Sequence, residues 1–442
     1  MLSDKRKFLL DYIKAHANYL NANHVALDIY RGNLLKYVTE IMRSSLSPQY
    51  FEKIEHRILP VNIMQRFIGK VSTTYSEAPT RTAADESQQK FLDEYVALFD
   101  INNKGVIADE YANLFKGFAW KPYINNKGQR DLRVLPFDRF LVYSDSSTNP
   151  DEETIFIEIV KTEDNKNIYF AYTDNEFDAF DSDANGLSQY LIDNQGINPI
   201  GTIPFVYGKR VYGELLPTQD TDLVAFTKVI PTILSDVGGA LMFQCFAIMY
   251  GVNVDANGIT MAPNAFWNIK SDGASEHPPQ IGTIQPQVDS EKALSFVISN
   301  FVLFLETKGI RIGSIGSMDS GNAASGIAKI IDEMDVFEIK KKSIVWFEHD
   351  EKELWNEKLA KIHNYWVQTK QINEAMIPEN FKVEVKFQKP EPMQSRSSLL
   401  DDLKKERDLG IITKEQMIMR AFPEIEDDEL KSALADESYL IG

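Results

Sequence analysis

Apolar residues recur at helical spacing along much of the chain, most persistently in its second half. One stretch begins at Ser325 and continues to Trp366, and no proline or glycine interrupts residues 327–366. At about 1.5 Å per residue, this pattern predicts a helical rod of roughly 60 Å. The stripe that defines this helix consists of Ile327, Ile330, Ile331, Met334, Phe337, Ile344 and Val345.

A shorter apolar helix precedes the long one, and a loop rich in glycine and serine joins the two. The shorter helix begins at Asp289 or Ser290, either of which can cap it, and Gly309 suits a left-handed cap at its end. Its apolar face consists of Leu294, Val297, Ile298, Phe301, Phe304 and Leu305. Residues 309–324 contain four glycines and three serines. Each glycine inside a helix costs about 1 kcal/mol relative to alanine, so this segment is predicted to be a loop.

The N-terminal part of the chain combines helices with strands. Amphipathic helices are predicted over residues 3–20, 25–42, 63–75 (with Asn62 as cap) and 87–99. From Gly117 the apolar period changes to two, which predicts an antiparallel region of roughly a hundred residues. It comprises a hairpin over 118–135 with an Asn/Gly turn, extended chain over 136–143, a strand pair at 154–160 and 167–173, and a closing segment at 203–208.

The remaining segments extend this mixed pattern. Residues 220–251 are predicted to be largely helical, loosened by Pro231 and the pair Gly238–Gly239. Residues 252–288 form an insert marked by proline and glycine, with a predicted hairpin at 252–261 and extended chain at 278–286. A strand at 381–387, helices at 397–409 and 414–422 (with Thr413 as cap) and an acidic tail at 424–437 follow. The predicted fold class is α+β.

Composition limits the function classes. The 442 residues carry a formal net charge of −18, which excludes a general electrostatic grip on nucleic acid. A single cysteine, Cys245, rules out a disulfide within one chain and fits a reducing compartment. We expect no signal peptide, because Asp11 and Lys14 break the first apolar run. Residues 238–252 are too short to span a membrane and contain Gln244, so no membrane association is expected.

No catalytic motif emerges, and the predictions are no catalytic residue, no metal ligand and no cofactor. Gly309, Gly313 and Gly316 follow a helix, whereas a phosphate-binding loop follows a strand. Residues 181–186 resemble half of a calcium loop, but Ile192 replaces the carboxylate needed at the twelfth position, which favours an acidic turn. His349 and His363 are predicted to be surface residues, and residues 340–342, all lysine, a solvated helix face.

Three motifs and the order of the parts resemble the portal, or head-to-tail connector, proteins of tailed bacteriophages. The motifs are Ile-Pro-Phe-Val-Tyr at 203–207 ahead of the helix at Asp220, Ser-Gly-Ile-Ala at 325–328, and the C-terminal helix pair at 400–423. That pair carries Glu406-Arg407, Gly-Ile-Ile-Thr at 410–413 and Phe422-Pro423. The hairpin at 117–143, ending in Pro136-Phe-Asp138, is similar to the family's wing. As an arrangement, the resemblance covers most of the chain.

The resemblance implies a homo-oligomeric ring of about twelve subunits around a channel for double-stranded DNA. It also implies a division into the family's domains. These are a wing at 1–213, a stem helix at 214–251, a clip at 252–288, a second stem helix at 289–308, a tunnel loop at 309–324, a long wing helix and strand at 325–392, and a crown with the acidic tail at 393–442.

Implied partners are the terminase large subunit, a head-tail adaptor, and the major capsid and scaffolding proteins, in a virion assembled in the host cytoplasm. The implied channel residues are Lys308, Arg311, Ile312, Ser314, Ser317, Met318, Asp319 and Asn322. The implied docking residues of the clip are Phe266, Trp267 and His277. Two alternatives stay open for these segments: the loop as an interdomain hinge, and Phe266 with Trp267 as the clip's own small core.

Two other function classes also remain open at this stage. One is an oligomeric virion scaffold or adaptor that does not contact DNA, and the other is an enzyme of unrecognised type. The acidic composition agrees with the portal hypothesis, because a ring of such subunits repels phosphate and lets DNA slide. A central channel seen by negative-stain microscopy would separate a portal from both alternatives.

Overall fold

A computed structural model describes residues 1–150, 152–191, 196–211, 213–245, 248–252, 280–284, 289–310, 324–378, 381–388 and 396–421. The chain divides into two compact units. The first comprises residues 1–310 and 338–388, and the second comprises residues 311–337 and 389–442. Helices combine with antiparallel sheets throughout the described residues, which confirms the predicted α+β class.

Thirteen α-helices lie within the described residues, and two short π-helical segments, Ile29–Asn33 and Leu354–Lys358, interrupt the helical runs. The helices are α1 (Leu2–Ala15), α2 (Ala17–Asp28), α3 (Leu34–Ser45), α4 (Pro48–Ile54), α5 (Ile63–Val71), α6 (Glu86–Phe99), α7 (Ile101–Phe115), α8 (Thr221–Cys245), α9 (Ser290–Thr307), α10 (Ala324–Glu353), α11 (Leu359–Gln368), α12 (Arg396–Asp408) and α13 (Lys414–Ala421).

Eleven described strands form four antiparallel sheets with the orders β3-β2-β8, β4-β5-β6-β7, β1-β11 and β9-β10. The strands are β1 (Thr80–Ala83), β2 (Gly117–Ile124), β3 (Arg130–Leu135), β4 (Phe140–Tyr143), β5 (Ile155–Lys161), β6 (Asn167–Tyr172), β7 (Phe177–Asp181), β8 (Val206–Lys209), β9 (Ile248–Val252), β10 (Gln280–Ile284) and β11 (Val383–Lys386). The predicted hairpin is confirmed, with Ala119 opposite Leu135 and Ile124 opposite Arg130.

The first helix covers the four-stranded sheet. Apolar residues of α1 such as Leu9 and Ile13 pack against Ile157 in the middle of that sheet. Arg6 fixes the helix orientation, because its Nε and Nη2 donate to the two carboxylate oxygens of Asp178 at 2.6 and 2.8 Å. A bidentate pair of this kind specifies geometry as well as sign of charge.

The second half of α10 and α11 form the centre of the first unit. Phe347 stacks on Phe118 of β2 at 5.5 Å between ring centroids, and Trp355 stacks on Phe99 of α6 at 6.2 Å. Glu351, on the same helix, is completely buried. Its carboxylate accepts hydrogen bonds from Arg81 Nε at 2.6 Å and Nη2 at 2.7 Å, from Tyr75 Oη at 2.7 Å and from Trp355 Nε1 at 3.0 Å.

Several predicted helices have different bounds. The helix predicted over 3–20 breaks at His16, and the one predicted over 25–42 is interrupted where Gly32 adopts a φ of 105°. The helix predicted to reach Tyr75 ends at Val71. The sequence analysis did not predict α7. Its buried residues lie around most of the helix, so it lacks one clear apolar stripe, and Gly105 makes room for Tyr75, whose ring carbon lies 2.5 Å from where a Cβ would be.

Two strands and one side chain of α10 also differ from the sequence-based expectations. Residues 248–251 are extended rather than helical, because they belong to β9 and pair with β10. Strand β7 was not predicted, although it completes the four-stranded sheet. Val345 was placed on the apolar stripe of α10, yet it is 67% exposed, whereas Ile344 is buried.

Two ionisable residues predicted to be at the surface are buried. His363 is fully enclosed; its Nε2 donates to the Ala375 carbonyl at 2.8 Å, and its Nδ1 accepts from Tyr95 Oη at 2.6 Å. Burial is the main cause that lowers the pKa of His363, which keeps the ring neutral. Lys340 is also buried and donates to Ser76 Oγ at 3.0 Å, whereas Lys341 and Lys342 are exposed.

Among the described residues, no helix combines the length and apolarity needed to cross a membrane. The described residues also contain no group of three or more His, Cys, Asp or Glu side chains that could hold a metal ion. The predicted acidic turn is confirmed, since the Asp181 carboxylate accepts hydrogen bonds from the amides of Asp183 and Asn185, both at 2.9 Å.

The second unit contains a helical hairpin, formed by α12 and α13. The predicted cap is confirmed: Thr413 Oγ1 accepts from the Gln416 amide at 3.2 Å, and Gln416 Oε1 accepts from the Thr413 amide at 3.0 Å. This reciprocal pair is a capping box. Leu403, Ile412 and Met417 form the hairpin's small core.

Replacing Arg81 with methionine should destabilise the first unit strongly. The change leaves Glu351 buried without its counter-charge, which costs about 3–5 kcal/mol. We expect a lower midpoint in urea unfolding of the unassembled protein. The matched control is Lys90→Met, which breaks the exposed pair with Glu86 and should change stability by less than about 0.5 kcal/mol. Similar losses for both variants would contradict this account.

Candidate functional site

Helices α8 and α9 pack against each other through aromatic side chains. Phe226 of α8 stacks on Phe304 of α9, with ring centroids 4.5 Å apart and planes at 6°. Phe301 lies one turn before Phe304 on α9, and it also stacks on the Phe226 ring, with centroids 6.2 Å apart. The two ring contacts fix the register of the helices over about one turn, and both helices lie within the segments predicted to form the stem.

A second set of contacts joins α8 to the N-terminal helices. Helix α8 packs against α3 and α5 as well as α9. Ser235 Oγ donates to the Pro231 carbonyl at 2.7 Å and accepts from the Leu59 amide at 3.3 Å. The helix continues through Pro231 and the pair Gly238–Gly239, and a Cβ on Gly239 would lie 2.7 Å from Tyr50 Oη. The close approach of Tyr50 therefore gives Gly239 a packing role, beyond the loosening that the sequence predicted.

Several large apolar side chains of the two helices are exposed among the described residues. On α9, Phe296 and Leu303 are each 59% exposed, although they lie seven residues apart on one face. Val229 of α8 is also exposed. Ile298 was predicted to lie on the buried face of α9, but it is exposed as well. Phe296 and Leu303 share one exposed apolar face of α9, which makes that face a candidate contact surface.

Lys308 ends α9 in an ion pair. Its Nζ lies 2.7 Å from Asp220 Oδ1 and 3.8 Å from the exposed carboxylate of Asp222. The resemblance implies that Lys308 is a channel residue. Its ammonium is paired within its own chain, and no feature of the local sequence identifies a partner 88 residues away.

The first residues of the predicted loop are well anchored. Gly309 adopts a φ of 76°, which confirms the predicted left-handed cap of α9. Ile310 is buried, and its amide donates to the Leu305 carbonyl at 3.0 Å. The other predicted channel residues lie outside the described residues: Arg311, Ile312, Ser314, Ser317, Met318, Asp319 and Asn322.

A two-stranded antiparallel ribbon brackets the insert predicted to be the clip. Val252 pairs with Gln280 and Ile248 pairs with Ile284, so the chain enters and leaves residues 253–279 side by side. The predicted docking residues Phe266, Trp267 and His277 lie outside the described residues. The sequence pattern correctly predicted extended chain at the second strand, β10, but it predicted helix at the first strand, β9.

Comparison with known proteins identifies the family. The family model described as phage portal protein, SPP1 Gp6-like, matches residues 9–233, which is half of the chain. The chain therefore belongs to this family of portal proteins, as the motifs indicated, and it is a virion-associated connector protein.

Similar solved structures come from gene transfer agent particles. One is titled "Neck of empty GTA particle computed with C6 symmetry"; it has 8% identity and a TM-score of 0.37, and the match covers 80% of this chain and 88% of that one. Another is titled "Virion of native gene transfer agent (GTA) particle", with 11% identity, a TM-score of 0.33 and coverage of 83% and 90%. A search of curated proteins finds no match. Because both scores are low, the family assignment depends on the sequence match.

Replacing Leu303 with aspartate should prevent assembly without unfolding the chain. The side chain is mostly exposed in one copy, so its loss costs the isolated fold little, whereas a charge in an apolar contact between copies is strongly unfavourable. We expect native mass spectrometry to find unassembled chains of Leu303→Asp and oligomers of Leu303→Met, the apolar control. Normal oligomers of Leu303→Asp would show that this face is not a subunit contact.

Proposed function

We propose that this protein assembles into a closed ring of about twelve copies at one capsid vertex. Its channel would pass double-stranded DNA during packaging and ejection. The terminase large subunit would dock first and a head-tail adaptor later, with the major capsid and scaffolding proteins around the ring during assembly in the host cytoplasm. The observation that carries this proposal is the packed pair of helices α8 and α9, on which Phe296 and Leu303 remain exposed. The family match adds that the chain is a portal protein.

In this proposal, the domains keep the boundaries that the resemblance implied. The wing is residues 1–213 with 325–392, the stem 214–251 with 289–308, the clip 252–288, and the crown with its tail 393–442. Within the stem segment, residues 248–251 belong to strand β9 and not to the helix. The helical pairing of α8 with α9 supports the stem assignment. The β9–β10 ribbon supports the clip assignment, because it brings the two ends of residues 253–279 side by side. The function requires no catalytic residue and no cofactor.

The test of the whole proposal is direct observation of the assembled particle. Negative-stain microscopy should show rings with a central channel, and class averages should give the number of copies. A solid or open assembly would favour a virion scaffold or adaptor that does not contact DNA. Discrete monomers under all conditions would argue against both, unless added scaffolding or capsid protein triggers ring closure.

The tunnel loop, residues 309–324, is proposed to line the narrowest part of the channel. Its apolar residues are isolated, so it cannot form core along its whole length, and its glycines and serines grip weakly. With Lys308 paired to Asp220, Arg311 becomes the cation through which the loop would sense phosphates. A single contact of this kind contributes little affinity and weakens with salt.

Replacing Arg311 with glutamate should slow DNA packaging or let packaged DNA leak, with ring assembly unchanged. A ring of negative charge repels phosphate where the wild-type arginine attracts it transiently. Packaging efficiency and nuclease-protected DNA in particles are the measurements, and Arg311→Lys is the control that keeps the charge. If Arg311→Glu packages and retains DNA normally, the loop assignment is wrong.

Replacing Trp267 with alanine should abolish binding of the motor or adaptor and leave rings intact. A large aromatic residue outside any long apolar stripe suits a contact surface in a small module. Co-sedimentation of purified rings with terminase large subunit or adaptor measures the loss. His277→Ala is a milder comparison within the same segment. Failure of Trp267→Ala to form rings would instead favour the alternative in which Trp267 and Phe266 form the clip's own core.

A further inference from the structure

Three separate parts of the chain meet at Asp220, directly before α8. Its Oδ1 accepts from the Leu223 amide at 3.1 Å, which caps the helix, and also accepts from Lys308 Nζ at 2.7 Å. Its own amide donates to the carbonyl of Leu114, near the end of α7, at 3.4 Å. One residue therefore contacts the end of α7, the start of α8 and the end of α9.

The surroundings make the Asp220–Lys308 pair stronger than a typical surface pair. The side chains are 8% and 19% exposed, so the interaction is only partly screened by solvent. The Lys308 ammonium also lies 5.5 Å from the centroid of the Phe304 ring, which stacks on Phe226. The charged contact is thus continuous with the aromatic contact that joins the two stem helices.

Lys116 is a second lysine on which the Asp220 carboxylate acts electrostatically. Lys116 follows α7 and is held in the left-handed region at a φ of 67°, with its carbonyl bound to the Arg210 amide. Burial is the main cause that lowers the pKa of Lys116; Asp220 acts against this shift and Lys308 adds to it. Asp222 also lies near Lys308, at 3.8 Å, but its carboxylate is exposed. Asp220 is therefore the direct ion-pair partner of Lys308 and also favours the charged form of Lys116.

The chain beyond Lys308 is fixed relative to this cluster. Gly309 turns the backbone back, and the buried Ile310 binds the Leu305 carbonyl. Residues 311–323 begin at this anchored point. We infer that Asp220 is a positioning residue for the tunnel loop: by holding Lys308 at the start of α8, it fixes where the loop leaves the stem. This inference depends on the proposed function of the loop.

The capping and clamping roles of Asp220 can be separated chemically. Asparagine caps a helix about as well as aspartate, so Asp220→Asn keeps the bond to the Leu223 amide and removes the charge that holds Lys308. Lys308→Met removes the other partner and keeps an apolar chain near Phe304. Lys308→Arg retains the charge and should restore the clamp.

The test measures hydrogen exchange at Gly309 and Ile310 in assembled rings. In Asp220→Asn and Lys308→Met, exchange at these amides should become about tenfold faster, because the clamp no longer opposes local opening. Lys308→Arg should exchange at the wild-type rate. The matched control is Lys292→Met at the other end of α9, which breaks the exposed pair with Asp289 and should leave Gly309 and Ile310 unchanged.

The same variants are then tested for retention of packaged DNA. The inference is supported if Asp220→Asn and Lys308→Met show both faster exchange and DNA leakage while Lys308→Arg shows neither. Unchanged exchange in Asp220→Asn and Lys308→Met overturns it. If these variants exchange faster but retain DNA, while Arg311→Glu leaks, the positioning role is refuted and the proposed loop function survives. If Arg311→Glu also retains DNA, the loop function itself fails.

Discussion

Helices α8 and α9 leave large apolar side chains exposed among the described residues, and the proposed assembly depends on covering them. Helix α8 has neighbours on two sides, α9 and the N-terminal helices, whereas α9 has α8 and little else among the described residues. Phe296 and Leu303 consequently remain exposed. Burying a large apolar side chain contributes about 1.5–3 kcal/mol, so repetition of this contact around a ring gives a substantial driving force.

A ring also needs subunits that hold their shape, and the first unit supplies this through its buried charges. Glu351 accepts hydrogen bonds from four donor atoms of three residues, Tyr75, Arg81 and Trp355. A buried pair like this adds little net stability compared with apolar packing, yet any alternative arrangement leaves a charge unpaired. Aromatic stacking around Phe347 and Trp355 provides the stability, and the ion pair selects one packing of α10 among several apolar ones.

Features encoded by neighbouring residues could be predicted from the sequence. The caps at Asn62, Asp289 and Thr413, the hairpin at β2 and β3 and the helicity of α9 and α10 all depend on side chains a few positions apart. The errors share a different cause. His363 is buried because Tyr95 and Ala375 enclose it, β9 is a strand because β10 lies beside it, and Lys308 is neutralised by Asp220. None of these partners is near in sequence, so no local pattern could reveal them.

The ion pair between Lys308 and Asp220 lies directly before the predicted tunnel loop and bears on how that loop is positioned. A segment without an apolar stripe gains little from packing, and its glycines leave many backbone conformations open. The position of a segment with these properties depends mainly on the residues that flank it. At the first end, the chain provides a left-handed glycine, a buried isoleucine and a lysine held by a carboxylate at the start of the neighbouring helix. Because the Lys308 ammonium is held by Asp220, this cation contributes to fixing the residues before the loop and is less available to an external anion.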